Sequence, residues 1–339
     1  MSLAADAGDV AAAYLDTGNY QRAAEVLQSA LAGDPGNTVL LARYAQARLG
    51  LKDYAGAASA AYSALGVAPT NAYAKRVYAL ALHGLGRYHE ARWMAWRTVT
   101  EHPDDYRAHY IYAHLLHLAG FDHDAFLVIN EAVRLNPASA DVRVLRGDIS
   151  RLMWNRSAAE ADYHEALRLE PDNASAVHNL AVSRLRWGSL TTAVRGFLGA
   201  GRLDPELGPL ARKNIGAVLI RVLRLATASV VFLAVALIAM GGTHDLHHST
   251  VLPRVFAVVL SAGLGAVVVW VVRSVPRATL RAVLRQRFLL VIRLVFLLVA
   301  MAIGIGTALI GAATLAGVLG PVLLLGVIGL TVLGWLVGQ

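Results

Sequence analysis

One cluster in this chain has residue types that could hold a metal ion. His244, His247 and His248 stand at positions i, i+3 and i+4, with Asp245 between them. Imidazole and carboxylate groups are common zinc ligands. No second half of a zinc motif accompanies them at a fixed spacing, so the metal site is a weak candidate and a polar loop is the favoured interpretation.

Other enzyme motifs fail on inspection. Segments starting at His89 and His164 open like the HExxH helix of zinc proteases, but their fifth residues are Trp93 and Arg168. The sequence has no cysteine nucleophile and no glycine-rich phosphate-binding loop. We therefore expect neither an enzymatic activity nor a cofactor.

A basic stripe points to chemistry with anions. Arg277, Arg281 and Arg285 repeat at i, i+4 and i+8 after Pro276, and Arg273 precedes them. This spacing predicts a short helix with one arginine-lined face. Against anionic lipid headgroups, each arginine would contribute about 1 kcal/mol. We predict that the stripe anchors the chain at a lipid surface and sets its orientation.

The elements that must position these residues follow a repeat of 34 residues. The repeat is marked by a column of prolines: Pro35, Pro69, Pro103, Pro137, Pro171 and Pro205. Three columns of mostly alanine keep the same interval: Ala23, Ala57, Ala91, Ala125, Ala159 and Ala193; Ala30, Ala64, Thr98, Ala132, Ala166 and Ala200; Ala11, Ala45, Ala79, Ala113, Gly147 and Ala181. Small side chains let helices approach closely, and proline cannot continue a helix. A period of this length predicts a solenoid of stacked helix pairs.

Residues 4–207 resemble a tetratricopeptide repeat array of six units. The family's Gly-x-Tyr turn is present at Gly18–Tyr20 and Gly86–Tyr88. Lys52 and Trp154 stand where that glycine belongs, which leaves the geometry of the fifth turn open. The resemblance implies an all-α fold, a helical solenoid, and a scaffold that binds other molecules.

The resemblance also implies where a partner binds. In such arrays the first helix of each unit lines a concave groove, through residues spaced i, i+3, i+7 and i+10. The candidates, concentrated in units 3 and 4, are Tyr73, Arg76, His83, Arg107, Tyr110, His114, His117, Arg151 and His178. Tyrosine and arginine dominate binding hot spots, whereas a solvated helix face with ordinary histidines is the alternative. Chaperone-binding members use Lys and Asn at this face, and these positions have neither.

We therefore hypothesise a different guest, an acidic segment of a protein or peptide partner. Arg76 and Arg107 would hold its carboxylate, because charge-assisted bonds from arginine to carboxylate are strong. Tyr73 and Tyr110 would flank the two arginines as rigid apolar contacts.

Charge divides the chain in two. Residues 1–214 contain 22 basic and 22 acidic residues, whereas residues 215–339 contain nine arginines and one acid, Asp245. A neutral array argues against nucleic-acid binding. Arginine far outnumbers lysine and alanine is abundant, which suggests a GC-rich bacterial genome.

The second part of the chain is apolar enough for a membrane. Leu225–Gly242 and Val255–Val272 carry no charge, and the uncharged run Leu294–Gln339 exceeds the roughly 20 residues that one helical crossing needs. That run should fold back around Gly311–Gly320, with Pro321 near the start of the last span. The predicted ranges are the repeat array at 1–207, a capping or linker helix at 208–224, and a transmembrane domain at 225–339 with spans at about 225–242, 255–272, 290–310 and 318–337. A buried soluble helical domain is the alternative to this four-helix transmembrane bundle.

The arginines predict the orientation. Basic residues precede the first span and lie between the second and third, whereas only Arg254 lies between the first and second. The positive-inside rule then places the repeats and the C-terminus in the cytoplasm. The first ten residues lack the pattern of a signal peptide, in agreement with this orientation.

The functional prediction is a multi-pass protein of the bacterial cell membrane. Its cytoplasmic repeat array would bind a protein or peptide partner and recruit it to the membrane, in contact with lipids. The alternative is a regulatory array fused to a membrane-embedded enzyme or transporter subunit. Apart from arginines, the spans hold no ionisable residue, which disfavours an ion pathway.

Overall fold

The computed structural model describes residues 3–187, 189–245 and 249–337, and within them every regular element is a helix. The first twelve helices form pairs: α1 Leu3–Asp16, α2 Tyr20–Gly33, α3 Thr38–Gly50, α4 Tyr54–Val67, α5 Ala72–Gly84, α6 Tyr88–Glu101, α7 Tyr106–Leu118, α8 Asp122–Leu135, α9 Ala140–Leu152, α10 Arg156–Leu169, α11 Ala174–Trp187 and α12 Leu190–Leu203. A short 3-10 turn, Pro205–Leu207, follows. The remaining helices are α13 Gly208–Asp245, α14 Val251–Ser274, α15 Arg277–Gln286, α16 Phe288–Ile310 and α17 Ala313–Leu336. The predicted all-α solenoid is confirmed.

A second polar column starts the first helix of each unit. Asn37, Asn71, Asp105 and Ser139 stand two residues after a repeat proline, and each accepts a hydrogen bond from a backbone N–H in the first turn of the next helix. Such caps satisfy donors that the helix itself cannot. Together, proline and cap end one unit and begin the next at a fixed place.

The small-residue columns form the core between paired helices. Ala23, Ala57, Ala91 and Ala125 are all fully buried, as are most members of the other two columns. In unit 5, where Gly147 replaces alanine, an added Cβ would lie 2.5 Å from the ring of Tyr163. The predicted close packing is confirmed, because larger side chains at these points have no room.

The turn between paired helices keeps one geometry without needing glycine. Gly18, Gly86 and Gly120 have φ between 73° and 80°, and Lys52 and Trp154 both have φ of 63°. All five residues therefore adopt the left-handed conformation that ends a helix. The fifth turn is preserved, and Lys52 and Trp154 carry the strain that glycine would avoid.

Contacts divide the chain into two compact units, residues 1–171 and 172–339. The sixth helix pair, α11 and α12, therefore belongs to the second unit. Phe197 of α12 shares one hydrophobic cluster with Ile215 and Leu219 of α13. This division falls earlier than the predicted boundary at residue 207, and the predicted domain ranges stay a prediction.

The second unit contains four helices long and apolar enough to cross a membrane: α13, α14, α16 and α17. The predicted linker helix at 208–224 and the first span at 225–242 are a single helix, α13. No proline or glycine turn separates them, because Asn214 through Arg224 continue the helical pattern without interruption. The same helix thus serves as cap and as span.

The predicted reversal around Gly311–Gly320 is shorter than expected. α16 ends at Gly311, which adopts the left-handed conformation with φ of 72°, and α17 begins at Ala313. Pro321 consequently lies well inside α17 rather than near its start. At this end of the bundle Gly241 and Gly317 approach closely, since a Cβ added to Gly241 would lie 2.8 Å from the Cα of Gly317.

Candidate functional site

A cleft of about 300 Å³ lies in the first compact unit, along the first helices of successive repeats. Its walls come from α3, α5, α7 and α9. The residues that line it are Gln46, Leu49, Tyr73, Arg76, Val77, Leu80, Tyr106, Arg107, Tyr110, Ile111, Ser139, Asp141 and Val142. We call it the repeat cleft. It brings together four of the predicted groove residues, Tyr73, Arg76, Arg107 and Tyr110.

Arg76 is already occupied by a carboxylate of the chain itself. Its guanidinium forms a salt bridge with Asp105, and the Arg76 side chain is only 14% exposed. Burial lowers the pKa of Arg76, and the charge of Asp105 opposes this effect. Asp105 also accepts a hydrogen bond from the backbone N–H of Arg107 at 3.0 Å. The hypothesis that Arg76 is free to hold a partner's carboxylate is therefore corrected.

Arg107 is the accessible cation of the repeat cleft. Its side chain is exposed, and its guanidinium carbon lies 4.8 Å from the ring centre of Tyr106. Within the part of the chain that the structure describes, no salt bridge involves Arg107. Stacking on an aromatic ring holds the guanidinium plane while leaving its N–H donors open.

The two buried phenols of the cleft are uncharged donors. Burial raises the pKa of Tyr73 to about 12 and that of Tyr110 to about 12. The hydroxyl of Tyr73 donates a hydrogen bond to Gln46. Both rings thus offer apolar faces with neutral polar tips at any physiological pH.

The predicted histidines lie beside the repeat cleft and do not line it. His114 stacks on Tyr110 with ring centres 6.3 Å apart, and burial lowers its pKa to about 4. The Nδ1 atom of His117 lies 2.7 Å from Asp122, and the His83 ring packs edge-on against Tyr88. Their positions indicate roles in packing.

The last two groove candidates also lie outside the cleft. Arg151 lies 3.9 Å from Asp148 on the same helix. His178 belongs to the second compact unit, where it is buried against Phe197 and close to Asn214. Burial of His178 leaves little surface for a partner, so this residue is withdrawn from the candidate site.

A neighbouring depression of about 420 Å³ extends the surface toward the first unit of the array. It shares Gln46 and Tyr73 with the repeat cleft and adds Asp16 and Arg43. Gln46 occupies, one repeat earlier, the position of Leu80 in unit 3. The 34-residue interval alone would have identified it, although the sequence analysis treated unit 2 as featureless.

The remaining sequence candidates fall in the second compact unit. Arg273, Arg277, Arg281 and Arg285 are exposed, and the last three lie on α15 as predicted. Residues 246–248, which include His247 and His248, lie outside the described residues, as does the side chain of His244. Among the described residues, no group of three His, Cys, Asp or Glu side chains could hold a metal ion.

Comparisons with known proteins agree with this geometry. The sequence family described as tetratricopeptide repeat matches residues 14–55, which extend from the end of α1 into α4. No curated protein matches the chain.

Three solved structures illustrate the likeness. The APC/C hetero-tetramer Cut9–Hcn1 is 16% identical, with a TM-score of 0.52 over 59% of this chain and 39% of that one. PilF of Pseudomonas aeruginosa is 20% identical, with a TM-score of 0.48 over 60% of this chain and 92% of its own. YrrB, a repeat protein described as having an unusual peptide-binding site, is 19% identical, with a TM-score of 0.37 over 51% and 89%. At such identities the first likeness shows a shared fold and no more.

Proposed function

Because this chain is a tetratricopeptide-repeat protein, we propose that it is a membrane-anchored scaffold that recruits a protein partner through the repeat cleft. Proteins of this kind act through interaction surfaces, and the cleft is the best-formed surface of the array. In this proposal the chain binds and does not catalyse.

The observation that carries the proposal is the environment of Arg107. An exposed guanidinium, stacked on Tyr106, lies in a cleft whose walls include the buried rings of Tyr73 and Tyr110. Arginine and tyrosine are the side chains that contribute most at binding hot spots. An acidic segment fits such a site, because arginine binds carboxylates through two parallel N–H donors.

Asp141 also lines the cleft and gives the guest a second requirement. A guest with only negative charge would be repelled there, so we propose an acidic side chain flanked by neutral or polar residues. The carboxylate would approach Arg107, and an uncharged group would approach Asp141.

The membrane part of the proposal rests on four helices of sufficient length and apolar character. The arginine distribution supports cytoplasmic repeats and a cytoplasmic C-terminus. The exposed stripe on α15 would then face the headgroups of the inner leaflet of a bacterial cell membrane.

The test is the binding of fluorescently labelled acidic peptides to the full-length protein in detergent, with amidated, uncharged versions of the same peptides for comparison. Arg107→Glu should weaken binding of acidic peptides by about tenfold or more, since a hydrogen bond to a charged group is worth about 1.5–3 kcal/mol. Glutamate is tolerated in the first turn of a helix, so the fold of α7 should be unaffected. Reversal of Arg76 is unsuitable, because it would leave Asp105 facing a like charge.

Lys52→Glu is the matched control, because Lys52 is exposed and does not line the cleft. It makes the same charge change on the same array. If the Lys52 variant loses as much binding as the Arg107 variant, attraction is non-specific and the site is wrong. If amidated peptides bind as well as acidic ones, the proposed guest chemistry is wrong.

A further inference from the structure

A single arginine lies inside the third membrane-length helix. Arg293 of α16 is 5% exposed, and its Nη2 atom donates a hydrogen bond to the backbone carbonyl of Leu330 in α17 at 3.2 Å. Apart from this bond, Arg293 has no hydrogen-bond partner among the described residues. A guanidinium carries five N–H donors, so most of its bonding capacity is unused.

Arg293 is accompanied by a second arginine from the neighbouring helix. The exposed Arg224 of α13 is close enough to Arg293 for the two positive charges to repel each other. The helical register agrees, because the Arg287 side chain lies over Gly216, with Nε 3.0 Å from a Cβ added there. From these points, six residues of α16 and eight of α13 lead to Arg293 and Arg224, which rises of about 9 and 12 Å place at similar depth.

Both arginines stand at one edge of the apolar layer. The uncharged segment of α13 after Arg224 runs from Leu225 to Gly242, about 27 Å of helix, and that of α16 after Arg293 runs from Leu294 to Ile310, about 26 Å. Each length is close to the thickness of a bilayer's hydrocarbon core. The pair therefore lies at the level of the headgroups, on the side where α13 and α16 begin.

The chain itself cannot neutralise this pair. After Glu206 the sequence has one acid, Asp245. Asp245 lies 21 residues along α13 from Arg224, about 32 Å away, and Glu206 is 18 residues before it. Two neighbouring arginines, one of them almost fully buried, without a carboxylate are costly unless an external anion binds them.

We propose that Arg224 and Arg293 together bind the phosphate group of an anionic lipid in the leaflet that faces the cytoplasm. Arg293 supplies donors from within the bundle, and Arg224 closes the site from the lipid side. The inference rests on the membrane insertion and orientation given under the proposed function. It differs from the α15 stripe, which is exposed along its length and attracts anions without enclosing one.

The experiment measures lipid retained by the full-length protein. Protein purified in detergent is incubated with mixed micelles of phosphatidylglycerol and phosphatidylcholine, and bound lipid is counted by native mass spectrometry. We expect preferential retention of phosphatidylglycerol. Arg224→Gln should weaken it about fivefold, the factor that corresponds to one arginine at a membrane surface. Arg293→Gln should weaken it at least as much.

Arg281→Gln, on the exposed stripe of α15, is the matched control and should leave retention unchanged. Since Arg293→Gln removes a buried contact and can impair folding, Arg224→Gln, at an exposed position, decides the question alone. A parallel titration with inorganic phosphate distinguishes the source of the anion. Phosphate that displaces the lipid only at high concentration supports a lipid site.

Three results would overturn the inference. They are equal retention of both lipids by the wild-type protein, an Arg281→Gln loss as large as that of Arg224→Gln, and stoichiometric binding of inorganic phosphate in place of lipid. Failure of the proposed function is separable. Extraction of the chain from membranes by alkaline carbonate would show that it is not inserted, and loss of partner binding is measured with acidic peptides at the repeat cleft.

Discussion

His114 should make the repeat array less stable in mildly acidic solution. Its Nδ1 atom is buried without a hydrogen-bond partner among the described residues, and its ring stacks on Tyr110. Burial is the main cause that lowers its pKa to about 4, with smaller contributions from the charges of His117 and His83. In the unfolded chain a histidine has a pKa of about 6.5.

The sign follows from proton binding. Between pH 6.5 and about 4 the unfolded state takes up a proton at His114 and the folded state does not, so stability falls as the pH falls through this window. A difference of about 2.5 pKa units corresponds to roughly 3 kcal/mol when the loss is complete. Between pH 7 and pH 5 about 2 kcal/mol of this should be lost.

The perturbation is His114→Leu, which removes the titrating group and keeps an apolar side chain. Amide hydrogen exchange of α7 in the intact protein reports the free energy of opening. Comparison of wild type and variant at the same pH cancels the intrinsic exchange rate. The variant should gain about 2 kcal/mol relative to wild type between pH 7 and pH 5.

His123→Gln is the control, because His123 is exposed on α8. It should leave the pH dependence of the wild type unaltered. The reasoning is refuted if the His114 variant shows the same pH dependence as wild type. It is also refuted if direct NMR titration gives His114 a pKa near 6.5.

Three other outcomes can be checked. Lys52→Gly should raise the stability of the array by about 0.5–1 kcal/mol, because Lys52 has φ of 63° and glycine adopts that conformation without strain; unchanged stability in urea denaturation would contradict the strain. Ala125→Leu should cost about 1–3 kcal/mol, because Ala125 is fully buried between paired helices, and a neutral melting temperature would argue against the packing. Ser249→Cys should react with a membrane-impermeant thiol reagent in intact cells, whereas labelling of Ser274→Cys instead would invert the proposed topology.

The sequence by itself determined the repeat architecture. A solenoid is built from contacts between neighbouring units, so a strict interval of 34 residues encodes the pairing, the turns and the buried columns together. Alanine at Ala23, Ala57 and Ala91 predicts close helix approach without knowledge of any distant contact. Membrane-length helices are equally local, because length and apolar composition are sufficient to predict them.

The repeat interval also contained more than was taken from it. The cap column that includes Asp105 and the groove position of Gln46 both follow from a shift of 34 residues. Trp154 shows the opposite limit. Its left-handed turn was uncertain because local propensity disfavours that conformation, and the packing of the flanking helices imposes it.

Only the tertiary structure decided which charges are available. Spacing places Arg76 and Arg107 on one face, yet Asp105 pairs with Arg76 across 29 residues and leaves Arg107 as the accessible cation. His178 has the groove spacing and is nevertheless buried beside Phe197, and Arg293 lies beside Arg224 only because α13 and α16 pack together. The physical reason is that a repeat pattern specifies backbone positions, whereas exposure and ion pairing depend on side chains brought together from separate helices.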